Sequence, residues 1–155
     1  MAEGILLDTN FLIRLLNPND RLHTQTREFY AFFLQRGLPI WLSTVALAEY
    51  CVRGRMDELP LRHLRILPFN VSHAVLAGRL AARVFQAREQ VENLPRRVIA
   101  NDVKLLAQAE EESSIRWLAT SDEGLIAMHG LLQQEGLVRL EIIDINQPLN
   151  PAQFA

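Results

Sequence analysis

Short apolar runs alternate with segments of helical periodicity along almost the whole chain, and this alternation narrows the fold more sharply than composition does. Ile5-Leu6-Leu7 is fully apolar and ends at Asp8, the pattern of a strand covered on both faces. Phe11 to Leu16 and Thr24 to Gln35 have helical spacing, and Gly37-Leu38-Pro39 is a stop signal after the second. Ile40-Trp41-Leu42 is the next strand candidate, with Ser43 or Thr44 placed to cap a helix running through Val52. Arg65 to Phe69 reads as a third strand after the break at Leu59-Pro60. Ser72 to Gln90 is the longest helical pattern, with Val75, Leu76, Leu80, Val84 and Phe85 at its apolar positions. Glu92 to Arg97, which contains Pro95, reads as a loop. Asn101 to Glu111 is helical, Arg116 to Ala119 a strand, Asp122 to Gln134 a helix, and Leu140 to Ile145 the last strand. Strands separated by helices predict an α/β domain with a mostly parallel sheet and helices on both faces. In such a sheet ligands bind at the carboxyl ends of the strands, where the strand order reverses. The tail from Gln147, with Pro148 and Pro151, is expected to be loose.

At 155 residues the chain has the size of one domain and is long enough to bury a core. The formal net charge of -2 argues against coating nucleic acid by bulk electrostatics. Any RNA binding must come from a local basic patch, from metal ions or from a partner. Cys51 is the only cysteine, which excludes an internal disulfide and a cysteine metal cage. The start Met-Ala-Glu-Gly lacks the basic residues and apolar stretch of a signal peptide. No apolar run approaches the roughly 20 residues of a membrane helix. A cytoplasmic setting without membrane attachment is the expectation.

Four acids stand out, and three of them have an ordinary explanation as helix caps. Asp8-Thr9-Asn10 lies between a strand and a helix, Asn101-Asp102 precedes a predicted helix, and Thr120-Ser121-Asp122 is a third capping cluster. Glu49 lies inside a helix instead, with Val45, Ala46, Val52 and Arg53 one turn away. A carboxylate on so apolar a stripe is rarely buried unless it is paired or bound to metal. The ordinary alternative is an ion pair with Arg53, worth only about 0.3–0.5 kcal/mol if exposed. Asp102 likewise heads an apolar stripe of Leu105, Leu106 and Ala109.

Taken together, the acids carry a family resemblance. Leu-Leu-Asp-Thr-Asn-Phe-Leu-Ile-Arg-Leu-Leu at residues 6 to 16 is similar to the opening strand, acid and helix of PIN-domain ribonucleases. Leu-Ser-Thr-Val-Ala-Leu-Ala-Glu-Tyr at 42 to 50 supplies Glu49, and Asn-Asp-Val-Lys-Leu-Leu-Ala-Gln-Ala at 101 to 109 supplies Asp102. Leu-Ala-Thr-Ser-Asp-Glu at 118 to 123 supplies Asp122. The chain most resembles the VapC-type toxins of bacterial toxin–antitoxin pairs, over a domain of residues 1–146 followed by a tail at 147–155. That resemblance implies a PIN-like three-layer fold with a five-stranded parallel sheet, its first and fourth strands adjacent. It implies metal-dependent RNA cleavage by Asp8, Glu49, Asp102 and Asp122, leaving a 5′-phosphate. Asn10 and Thr120 match the family's accessory polar positions, and Glu123 is a candidate outer ligand. The implied partners are RNA, a small antitoxin held in an apolar groove between the early helices, and a second copy of the chain. The helix bearing Phe29, Tyr30, Phe32, Phe33 and Leu34 has more large apolar side chains than one core-facing stripe can hide, which points equally to a homodimer or to a helix that is simply well buried within the chain.

Four carboxylates without His or Cys beside them suit Mg2+ or Mn2+, not zinc. Arg14, Arg96, Arg97 and Lys104 are candidate phosphate contacts, although scattered cations are the normal protein surface. Met56 to His63 and the loop around Pro95 match no motif and are candidates for specificity. Other classes fit less well. A phosphoacceptor receiver domain pairs acids after its first strand, where this chain has Asp8-Thr9. A haloacid-dehalogenase-type phosphatase needs Asp-x-Asp there, and this chain has Asn10 in the second place. The remaining alternative is a PIN-like module that binds RNA or protein without cutting.

Overall fold

In a computed structural model, which describes residues 3–87 and 96–155, five strands form one sheet. They are β1 (Gly4–Leu7), β2 (Ile40–Ser43), β3 (Leu64–Leu67), β4 (Ile115–Thr120) and β5 (Glu141–Asp144). The order is β3-β2-β1-β4-β5, and every neighbouring pair is parallel. Six helices flank the sheet: α1 (Thr9–Leu16), α2 (His23–Gln35), α3 (Thr44–Tyr50), α4 (Val71–Gln86), α5 (Arg96–Glu111) and α6 (Glu123–Gln134). Every residue of β1 is buried, as is required of a central parallel strand covered on both faces. From β1 the chain builds outward through β2 to β3, then crosses back to place β4 on the other side of β1. The strand order therefore reverses between β1 and β4, and the crevice such a reversal creates opens above Leu7 and Thr120.

The helix stops follow their residues. Gly37 and Gly136 adopt φ values of 64° and 70°, the left-handed conformation that closes α2 and α6. Ser43 is the residue that caps α3, its hydroxyl accepting from the Val45 amide at 2.9 Å. α3 ends at Tyr50, two residues before the expected end, and α4 ends at Gln86. The expected extension of α4 to Gln90 runs from Ala87, a turn, into residues outside those described.

Two expectations are corrected. α5 begins at Arg96, not at Asn101, so Arg96 and Arg97 belong to a helix and not to a loop. The remainder of that expected loop, including Pro95, lies outside the described residues. Proline breaks a helix only from its interior, and before the first turn it is compatible with a helix start. Asp102 thus lies well inside α5, and its reading as a helix cap falls.

The tail is not loose. Pro151–Phe154 forms a 3-10 helix capped by Asn150, whose side chain accepts from the Ala152 amide at 3.1 Å. The Phe154 ring lies 5.0 Å from Phe32, 5.6 Å from Phe33 and 5.2 Å from Trp117, centroid to centroid. The prolines signalled disorder, but one aromatic with a receptive pocket outweighs them. Phe154 also covers Phe32, while Phe29 and Phe33 are buried in the core. Most of the apolar surplus on α2 is hidden within the chain, leaving Leu34 as its exposed large apolar residue. Phe154→Ala should cost about 3 kcal/mol and lower the melting temperature by about 6–12 °C. A thermal melt checks this, and an unchanged transition would mean that the tail does not pack in solution.

Candidate active site

Asp8 follows β1 directly and caps α1, its Oδ1 accepting from the Thr9 amide at 2.7 Å. Its capping role is real, but the second oxygen does something else. Oδ2 accepts from Thr120 Oγ1 at 2.7 Å and from Asn10 Nδ2 at 3.1 Å. Thr120 ends β4, and its hydroxyl also accepts from Asn10 Nδ2 at 3.3 Å and from the Asp122 amide at 3.0 Å. Asn10 Oδ1 accepts from the Ser121 amide at 3.1 Å. These bonds lace the carboxyl ends of β1 and β4 together and orient Asp8 across the crevice. Asp122 caps α6 through Oδ1, which accepts from the amides of Gly124 and Leu125 at 2.8 and 3.2 Å. Its Oδ2 has no hydrogen bond among the described residues.

Asp102 has no such anchors. It is 8% exposed inside α5, and its Oδ2 is buried without a hydrogen-bond partner among the described residues. Burial raises its pKa to about 8, and the charges of Asp122, Asp8 and Glu49 push it the same way. Asp8 is raised to about 6, mainly by burial; its hydrogen bonds from Thr120 and Thr9 oppose the rise, and Glu49 and Asp122 reinforce it. Glu49 sits at the rim of the site, largely exposed. Partial loss of hydration lifts its carboxyl above the ordinary range, Thr9 and Lys104 pull it down, and Asp122 raises it again. The fold thus brings Asp8, Glu49, Asp102 and Asp122 from four separate segments into one electrostatic cluster. Charge repulsion within the cluster adds to burial in disfavouring the ionised forms of Asp8, Glu49 and Asp102.

Other residues fall differently. Glu123, in the first turn of α6, is exposed and makes no hydrogen bond or ion pair among the described residues. Among those residues Arg53 forms no ion pair with Glu49, and Glu49 is exposed, so it is not the buried carboxylate that its apolar neighbours suggested. Arg14 is committed elsewhere: Nη1 meets Asp20 at 2.8 Å and Nε donates to Ser121 Oγ at 3.0 Å, so it is a brace and not a free phosphate contact. The side chains of Arg96 and Arg97 lie outside the described residues. Lys104 remains, half-buried and acting on Glu49. Ser121 went unnoticed in the sequence, where it reads as one more capping residue. Its hydroxyl, amide and carbonyl engage Arg14, Asn10 and Asn146 respectively, which makes it the knot of the loop before Asp122.

As they stand, no three His, Cys, Asp or Glu side chains among the described residues form a group set to enclose a metal ion. The donor set nevertheless fits a hard divalent cation. It offers only carboxylate oxygens, and the buried, unpartnered Asp102 Oδ2 is an acceptor that a cation would satisfy. Beside Glu49 runs an open groove of about 660 Å3 whose lining includes Thr9, Ile13, Leu16, Tyr50, Val52 and Arg53. Ile13 and Val52 are 47% and 79% exposed, an unusual amount of apolar surface next to an acid cluster.

The PIN domain family model matches residues 5–131, and the chain belongs to that family. Its fold is similar to that of VapBC2 from Rickettsia felis, solved bound to a DNA fragment from their promoter, at 19% identity and a TM-score of 0.57 over 90% of this chain and 98% of that one. It is similar to DNA-bound VapBC from Salmonella typhimurium at 18% identity and a TM-score of 0.56, covering 92% and 98% of the two chains. It is also similar to VapC20 of Mycobacterium tuberculosis, described as a sarcin–ricin loop cleaving toxin, at 18% identity and a TM-score of 0.56 over 80% and 94%. At these identities the likeness is one of fold. No curated protein matches the chain by sequence. No helix among the described residues is long and apolar enough to cross a membrane.

Proposed function

We propose that the chain is a metal-dependent endoribonuclease and acts as the toxin of a toxin–antitoxin pair. The observation that carries this reading is Asp102: a buried, unpartnered carboxylate inside a helix, facing three other acids at the strand-order reversal. Nothing structural requires a carboxyl group there, and a cation is what would draw it into its ionised form. Asp8, Asp102 and Asp122, with Glu49 at the rim, would hold Mg2+ or Mn2+. A divalent ion bound there supplies Lewis-acid stabilisation of the charge that builds up on the phosphodiester. The chain's own residues do the rest. Thr120 and Asn10 hold Asp8 in one orientation, and the α6 cap holds Asp122. Glu49, the acid nearest solvent, takes the proton from the attacking water, and Lys104 beside it meets the incoming phosphate. The water oxygen bonds to phosphorus as the bond from phosphorus to the 3′ oxygen breaks, leaving a 5′-phosphate and a 3′-hydroxyl that takes its proton from solvent.

The fold-level likeness to VapBC structures supports an antitoxin partner, and the apolar groove beside Glu49 is where its chain would lie. A partner seated there would cover Glu49 and shut the site. Self-association is part of the same reading.

Incubating mixed RNA with the protein and Mg2+ or Mn2+ tests the proposal. Cleavage should appear, stop in excess chelator, and be lost with Asp8→Asn. Cleavage that persists in chelator overturns the metal mechanism, and binding of RNA without any cleavage would favour a non-catalytic module.

A further inference from the structure

The carboxyl end of the sheet carries a fully buried polar pair that the proposed chemistry does not use. Gln108 of α5 and Ser43 at the end of β2 are both 0% exposed. Ser43 Oγ donates to Gln108 Oε1, and Gln108 Nε2 donates to the Leu67 carbonyl, at the end of β3, at 3.3 Å. The same Ser43 hydroxyl caps α3. One side chain thus ties α5 to the ends of two strands and to the first turn of a second helix. That helix carries Glu49, α5 carries Asp102, and the two pack against each other.

Purely apolar contacts would leave α5 some freedom to slide or rotate, because the hydrophobic effect is non-directional. A buried hydrogen-bonded network admits one arrangement, since every other strands a polar group. We propose that Gln108, acting through Ser43, is a positioning residue that sets α3 against α5 so that Glu49 and Asp102 face each other across the metal site. This rests on the proposed metal-dependent cleavage. Gln108 touches neither substrate nor metal, and its effect passes through the placement of the two helices. Displacements near 1 Å in such a site cost about 10²-fold in rate, so a loosened α5 has room to matter.

Two variants of the full chain test it: Gln108→Leu, which keeps the volume and removes the amide, and Ser43→Ala, which removes the hydroxyl from the α3 side. Each is read by RNA cleavage kinetics well below its melting temperature and by the rise in melting temperature that Mg2+ produces. Both variants should lose about 10-fold or more in kcat with KM for RNA nearly unchanged. Both should also lose most of the Mg2+-induced rise. A variant that melts lower in chelator yet keeps wild-type kcat and the full Mg2+ response overturns the proposal, because the pair would then be structural only. If Gln108→Leu does not fold, Ser43→Ala decides on the same two readouts. A wild-type chain that neither cleaves RNA nor responds to Mg2+ overturns the proposed function and this inference together.

Discussion

Asp102→Asn will make the metal-free protein more stable at pH 8 while cutting RNA cleavage at least about 10²-fold. The two effects have one cause. Asp102 is buried with Oδ2 unpartnered and is surrounded by the charges of Asp122, Asp8 and Glu49, so its ionised form is costly. Asparagine keeps the shape and removes the charge that burial and the Asp122, Asp8 and Glu49 carboxylates make costly. The gain is offset in part because the amide is still a buried polar group without a full set of partners. A net gain of about 2 kcal/mol, or about 4–8 °C in melting temperature, is the expected size. Thermal melts in chelator alongside a cleavage assay give both numbers. A variant that melts well below wild type at pH 8 would make Asp102 a structural residue and remove the metal site's central member.

The alternation of strand and helix patterns was legible because parallel strands buried on both faces are short apolar runs, and β1, β2, β4 and β5 fall where those runs are. The place of Asp8 and Asp122 at strand ends followed from the same pattern. What composition and spacing hide is partnership across long sequence separations. Asp102, a candidate ligand, also carried an ordinary reading as a cap because Asn101-Asp102 is a good capping pair, and Pro95 placed the expected helix start after the observed one at Arg96. Arg14 read as a free cation because Asp20 and Ser121, which neutralise and anchor it, are not helical neighbours of it. Phe154 looked like the end of a loose tail, and its pocket is built by Phe32, Phe33 and Trp117 from α2 and β4. Gln108 is an ordinary helix residue until Ser43 and the Leu67 carbonyl are found beside it. Tertiary hydrogen bonds leave no period in a sequence, whereas hydrophobic burial does.

In chelator, the wild-type protein will lose stability as pH rises from about 5 to about 8, and Mg2+ will restore it most at the upper end. An ordinary aspartate titrates near 3.8, and the folded-state values are about 6 for Asp8 and about 8 for Asp102. Between the unfolded and folded values, the unfolded chain has released these protons while the folded chain still holds them. Stability therefore falls with rising pH through that window, the reverse of a salt-bridged carboxylate. The cost is absent below pH 3.8, grows as pH rises toward 8, and is fully present above it. A tenfold change in a group's proton affinity corresponds to about 1.4 kcal/mol, but the two acids repel each other, so their contributions overlap and do not add. A divalent cation favours the ionised acids and acts oppositely. At a hundred times its dissociation constant it contributes about 2.7 kcal/mol, or about 5–11 °C for a chain of this size. At pH 5 the ion competes with protons, and its effect should be small. Asp102→Asn should flatten the chelator profile above pH 6 and respond weakly to Mg2+ at every pH. Melting curves at pH 5, 6.5 and 8, each with chelator or Mg2+, separate the possibilities. A wild-type profile that rises toward pH 8 in chelator would mean that the acids are already compensated within the chain and that the site has no need of a cation.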